Sequence, residues 1–170
     1  MVFQQLLKFL QRILGIDPGS RVTGYGVVDA APGMLSFVAC GTIRVAGEPT
    51  FAGRLDAIFS GLNEVIQLHQ PQVVAVEEVF LANNPRSALK LGHARGAAIV
   101  AATQNGLAVR EYNAKAIKQA VAGYGQAEKR QVQHMVRVLL CLAGAPSQDA
   151  ADGLAVAICH ANQSDYKFLR

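Results

Sequence analysis

Apolar runs and turn signals alternate along the chain at spacings that name its elements. Ile13-Leu14-Gly15-Ile16 is a short apolar strand that stops at Asp17, and Pro18-Gly19-Ser20 supplies a turn. Tyr25 to Val28 predicts a second strand, Ala31-Pro32-Gly33 a hairpin turn, and Leu35 to Val45 a third strand. Thr50 is placed to cap a helix whose apolar stripe is Phe51, Leu55, Ile58, Leu62 and Ile66, and Pro71 ends that element. Val73-Val74-Ala75-Val76 is an unbroken apolar run, the pattern of a strand buried on both faces, and it runs into Glu77. Residues 81–86 form a polar loop. A helix over Ser87 to Gln104 and a strand over Leu107 to Tyr112 follow. Helices over Ala114 to Ala122, Glu128 to Leu142 and Gln148 to Ala161 complete the pattern. The fold class is α/β: a mixed sheet that starts as a meander.

Composition narrows the class. The chain has 170 residues, of which 51% are hydrophobic. That is one domain's length with room for a core, and too apolar for a disordered tail. No repeat, linker or charge block marks an internal boundary. The net charge of +4 permits a polyanionic partner without demanding one. Cys40, Cys141 and Cys159 are widely spaced and odd in number, which predicts buried free thiols in a reducing, cytoplasmic setting. Phe3, Leu6, Leu7 and Leu10 have helical spacing, but Gln4, Gln5 and Lys8 interrupt any signal-peptide run. Residues 1–12 read as a leader outside the main domain. Gly96 to Val109, a charge-free stretch as long as any in the chain, is short of the ~20 apolar residues a membrane helix needs.

Four acids stand where acids are costly. Asp17 and Glu77 each follow a core strand, and strand ends in open α/β sheets are where sites form. Asp149 and Asp152 are three residues apart on the last predicted helix, so they share a face. Singly, each has an ordinary explanation: a turn, a solvated strand end, or a favourable first-turn charge. Together they suggest one cluster. No Lys or Arg lies between His69 and Arg86, or within ten residues of Asp152. Carboxylates without basic neighbours suggest a hard divalent cation such as Mg²⁺.

Five segments carry a resemblance. ILGIDPGSRVTGYGVV (Ile13 to Val28), VEEVF (Val76 to Phe80), SALKLGHARGAAIVAA (Ser87 to Ala102), AEKRQVQHMV (Ala127 to Val136) and DAADGLAVAICH (Asp149 to His160) occur in this order. They resemble the bacterial RuvC family of Holliday-junction resolvases over residues 13–161. The resemblance implies an RNase H-like fold, a five-stranded mixed sheet flanked by helices, and a nuclease domain over 13–161 with a polar tail over 162–170. It implies a homodimer that nicks four-way junction DNA symmetrically, leaving 5′-phosphate and 3′-hydroxyl ends, beside the RuvA–RuvB branch-migration complex. The family's metal-binding carboxylates fall on Asp17, Glu77, Asp149 and Asp152, its two lysines near the site on Lys118 and Lys129, and an aromatic at the junction centre on Phe80. Two Mg²⁺ per site is the expected cofactor, with Mn²⁺ as a substitute. Residues 1–12 and the loop around Pro85 and Arg86 depart from the family's pattern.

Charge placement adds candidate DNA contacts. Arg130, His134 and Arg137 fall on one face of the Glu128–Leu142 helix, with Lys115, Lys118 and Lys129 nearby. Lys90 and Arg95 offer a second patch, Arg86 is a further candidate DNA contact, and Phe80 could stack on an unpaired base. Gly92 and Gly96 form a small-residue stripe that suits either close packing on the chain's own sheet or a dimer contact. Three other readings share parts of the pattern. An actin-like ATPase needs a second large domain that this length excludes. A related RNase H-like nuclease on other branched DNA or RNA–DNA hybrid shares the carboxylates. A non-catalytic junction-binding module would not need all four.

Overall fold

The computed structural model describes residues 10–78 and 84–165. Strands β1 (Gln11–Asp17), β2 (Val22–Ala31) and β3 (Met34–Arg44) form the opening meander. Then come α1 (Phe51–His69), β4 (Val73–Glu77), α2 (Pro85–Gln104) and β5 (Ala108–Tyr112). Helices α3 (Ala114–Ala122), α4 (Lys129–Leu139) and α5 (Gln148–Asp165) end the described chain. The sheet order is β3-β2-β1-β4-β5. β2 runs antiparallel to β1 and β3, whereas β1, β4 and β5 run parallel.

Strand periodicity divides the core in two. Ile13, Val28, Val73 and Ala75 face α3, α4 and α5, where Ile117, Val132, Val136, Leu154 and Ile158 cover them. Leu14, Ile16, Val27, Val74 and Val76 face the opposite way, onto Ile58 and Leu62 of α1 and Ala94 and Ala98 of α2. β1 and β4 are therefore buried on both faces, as their continuous apolar runs require, whereas β5 at the sheet edge is largely exposed.

Several boundaries differ from the sequence expectation. β1 begins at Gln11, so Gln11 and Arg12 belong to the sheet and not to a leader; the Arg12 guanidinium donates to both carboxylate oxygens of Asp29, at 2.7 and 2.8 Å. β2 is longer than Tyr25–Val28 because Gly24 and Gly26, which weaken a strand pattern, pair with Asp17 and Gly15. α2 starts at Pro85, inside the expected loop, because the Asn84 side chain accepts from the Arg86 amide at 3.0 Å and caps it. α4 stops at Leu139 and not Leu142, since Cys141 adopts a left-handed conformation at φ 50°. α5 continues past Ala161 to Asp165, into the expected tail. Of the three thiols only Cys159 is buried; Cys40 is half-buried and Cys141 exposed, which corrects the expectation of three buried cysteines. Among the described residues no helix is long and apolar enough to cross a membrane.

Candidate active site

Register explains how the first two acids meet. β1 and β4 are parallel neighbours with Ile16 opposite Val76, so Asp17 and Glu77 end adjacent strands side by side. Alternation along each strand places both carboxylates on the sheet face covered by α3, α4 and α5. The turn after Asp17 is held by Thr23, whose hydroxyl donates to the Gly19 carbonyl and accepts from the Gly19 amide, both at 3.3 Å.

The third acid depends on glycines. α5 lies backbone-to-backbone against β1 and β2. A Cβ at Gly15 would run into the Gly153 carbonyl, and one at Gly24 into the Asp149 carbonyl. A Cβ at Gly153 would stand 2.5 Å from the Tyr25 Cα. These positions let the helix descend far enough to bring Asp152 beside Asp17 and Glu77. Asp149 lies in the first turn of α5, where its charge also suits the helix dipole.

Asp17, Glu77 and Asp152 line one cavity of about 250 Å³ with Ile117, Lys118, Lys129 and Val132. The Lys129 Nζ stands 3.6 Å from an Asp152 carboxylate oxygen. Basic partners missing from the local sequence are thus delivered by the fold, from α3 and the first turn of α4. That corrects the expectation of a cluster without basic neighbours.

The electrostatics remain short of positive charge. Burial pushes the Asp17 carboxyl up to about 8, reinforced by Glu77, Asp152 and Asp149 and opposed by Lys129. Glu77 is raised by burial and by Asp152, against Lys129, a hydrogen bond from Asp17, and Lys118. Asp152 is raised by burial and then by Asp149, with Lys129 acting against it. Among the described residues, no three acidic, His or Cys side chains stand close enough together to cage an ion. The donor chemistry nonetheless fits a hard divalent cation: the acids offer only oxygens, and their mutual repulsion is relieved by added positive charge.

The other sequence candidates scatter around this centre. Lys115 is exposed on α3, its aliphatic stem packed over Gly125. Arg130 and Arg137 are exposed on α4, and Arg86 and Lys90 are exposed on the first turns of α2. Arg95 is not a free contact, because it pairs with Glu111 across to β5. Phe80 lies outside the described residues, as do residues 1–9 and 166–170. Among the described residues nothing lies within 4 Å of a Cβ built on Gly92 or Gly96, so this stripe does not pack on the described sheet. Sequence reasoning passed over Gly15, Gly24 and Gly153, whose only trace was a run of glycines in two core segments. It also passed over Tyr124 and Gln131, whose hydroxyl-to-amide hydrogen bond of 2.6 Å ties the α3–α4 loop to the start of α4.

Comparison with known proteins places this arrangement. Residues 13–160 match the family model described as crossover junction endodeoxyribonuclease RuvC. A protein of that name from Psychromonas ingrahamii is 60% identical over 150 residues, covering 88% of this chain and 86% of its own. Another, from Pseudoalteromonas atlantica, is 54% identical over 153 residues, covering 90% and 88%. The solved structure of Thermus thermophilus RuvC in complex with a Holliday junction substrate superposes with a TM-score of 0.86 at 34% identity, covering 92% of this chain and 96% of that one. The fold is RNase H-like, and the chain belongs to the RuvC family of crossover junction endodeoxyribonucleases.

Proposed function

We propose that this protein is a metal-dependent endonuclease that resolves four-way DNA junctions by paired symmetric nicks, in recombination and repair. The observation that carries the reading is the convergence of Asp17, Glu77 and Asp152 with Lys118 and Lys129 in one cavity at the carboxyl ends of β1 and β4. Family membership supplies the substrate class. Asp17, Glu77, Asp149 and Asp152 would hold two Mg²⁺, or Mn²⁺ in their place. When bound, such a pair activates water and stabilises the leaving 3′-oxygen. The protein's own part is positional and electrostatic. The carboxylates gather negative charge in a partly dry cavity. Lys118 and Lys129 flank it, where they neutralise the scissile phosphate and hold it against the acids. The products carry 5′-phosphate and 3′-hydroxyl ends.

The reading extends to assembly. Two symmetric nicks suit a two-fold dimer. The outer face of α2 supports a contact there, with Leu89 and Val100 65% and 46% exposed beside the open Gly92 and Gly96. Lys90, Arg86, Lys115, Arg130 and Arg137 line the approach for DNA phosphates, and the family resemblance assigns the junction-centre contact to Phe80. The dimer works beside the RuvA–RuvB branch-migration complex. Cleavage of a synthetic four-way junction, beside linear duplex and RNA–DNA hybrid, with and without Mg²⁺, tests the function. Mg²⁺-dependent paired nicks in the junction alone are expected. Equal cutting of the hybrid would favour a general RNase H-like nuclease instead.

A further inference from the structure

A second cavity, of about 320 Å³, lies on the other side of α4's first turns, lined by Ala122, Tyr124, Arg130, Gln131, His134 and Met135. It has the size of a small-ligand pocket, near the low end of roughly 300–1,000 Å³. Its floor is apolar, from Ala122 and Met135. Its rim carries Arg130 and His134, one turn apart on the same helix face, and among the described residues no acid lines it. Tyr124 is 45% exposed, so a large aromatic surface is left open.

The tyrosine is held in place. Its hydroxyl donates to the Gln131 side-chain oxygen at 2.6 Å, and the same oxygen accepts the Glu128 amide at 2.8 Å. The ring is thereby tied to the capping box that starts α4. A ring fixed in this way loses little freedom when a flat partner stacks on it.

The cavity also continues the proposed DNA path. Lys129 and Val132 line the carboxylate cavity, while their neighbours Arg130 and Gln131 line this one. One turn of α4 thus presents a cation to each side.

We propose that this cavity is a nucleotide subsite: Tyr124 stacks on an unpaired base of the branched DNA while Arg130 and His134 take the adjoining phosphate. The subsite rests on the junction-nuclease reading and adds to it a contact that is not ionic. Stacking on an aromatic is insensitive to sequence and to salt, whereas a phosphate contact carries a salt dependence.

That difference supplies the test. The affinity of the full-length protein for a synthetic four-way junction is measured over a salt series without divalent metal, for the wild type and for Tyr124→Ala, Tyr124→Leu, Tyr124→Phe and Arg130→Gln. Tyr124→Ala and Tyr124→Leu are expected to weaken binding at least about fivefold at every salt concentration with an unchanged slope. Tyr124→Phe keeps the ring and is expected to stay within about twofold of wild type. Arg130→Gln is expected to reduce the salt slope by about one. Leucine preserves apolar volume, so a loss shared by Ala and Leu but spared in Phe is not an unfolding effect. Wild-type affinity in Tyr124→Ala or Tyr124→Leu overturns the subsite and leaves the nuclease reading standing. Failure of the wild type itself to bind the junction overturns both.

Discussion

Asp17 is the residue on which the proposed chemistry turns. Its carboxyl ends a core strand, faces two other acids across a cavity, and holds its proton up to about 8 against an ordinary 3.8. The sign of the consequence follows from linkage. The folded state binds that proton more tightly than the unfolded chain, so its contribution to stability is complete below about pH 4. The contribution is lost as pH rises through about 8. The metal-free wild type should therefore melt at a lower temperature at pH 8.5 than at pH 5, as far as this residue decides it. Asp17→Asn stays neutral throughout. We expect it to melt above the wild type at pH 8.5, with the gap closing towards pH 5. Millimolar Mg²⁺ or Mn²⁺ should raise the wild-type melting temperature at pH 8.5 and raise that of Asp17→Asn much less. Parallel melting curves for the two proteins across pH would contradict the shared acidic cavity. Asp17 and Glu77 were legible as single residues because a carboxylate after a core run is conspicuous. Lys129 was legible through the family resemblance but not from local charge, because the 3.6 Å approach to Asp152 joins helices separated by a loop.

At the scale of elements, the site exists because α5 can lie against β1 and β2. Gly15, Gly24 and Gly153 leave no room for a side chain between the backbones. Gly24→Ala would push a methyl group into the Asp149 carbonyl, which is helix backbone and cannot rotate away. Overpacking of this kind typically costs about 1–3 kcal/mol. We expect Gly24→Ala to lower stability by at least that much in denaturant unfolding, and to impair nicking by displacing the first turn of α5. Wild-type stability would show that the helix can retreat freely. The same glycines account for the sequence's weakest boundary. They dilute the apolar alternation of β2, so only its Tyr25–Val28 centre reads as strand, whereas pairing extends it over Val22–Ala31. Helix identities and the five-strand count were legible because their stripes are long. Helix ends were not, because Asn84 at one and the left-handed Cys141 at another act through single local conformations.

For the whole molecule, the mild net charge conceals two opposed regions. Of 12 acidic residues, three converge on one cavity and Asp149 lies in reach, while the chain carries 16 Lys and Arg, of which Lys118 and Lys129 line that cavity. A basic body with a concentrated acidic pocket suits a protein that must attract a polyanion and cut it at one point. The exposed stripe on α2 gives the assembly its test. Leu89→Glu places a charge on that face without touching the carboxylate cavity. It should convert a dimer into a monomer in analytical ultracentrifugation at micromolar concentration, with secondary structure retained. A Leu89→Glu protein that sediments as the wild type would move the interface elsewhere.

Metal-dependent junction cleavage at Asp17 is tested most directly by strand-specific nicking of a labelled four-way junction by wild type and Asp17→Asn, each with and without Mg²⁺, with junction binding measured on the same samples. Paired symmetric nicks are expected for the wild type with Mg²⁺ only, and no nicks for Asp17→Asn at retained binding. Vigorous Mg²⁺-dependent nicking by purified Asp17→Asn would contradict it.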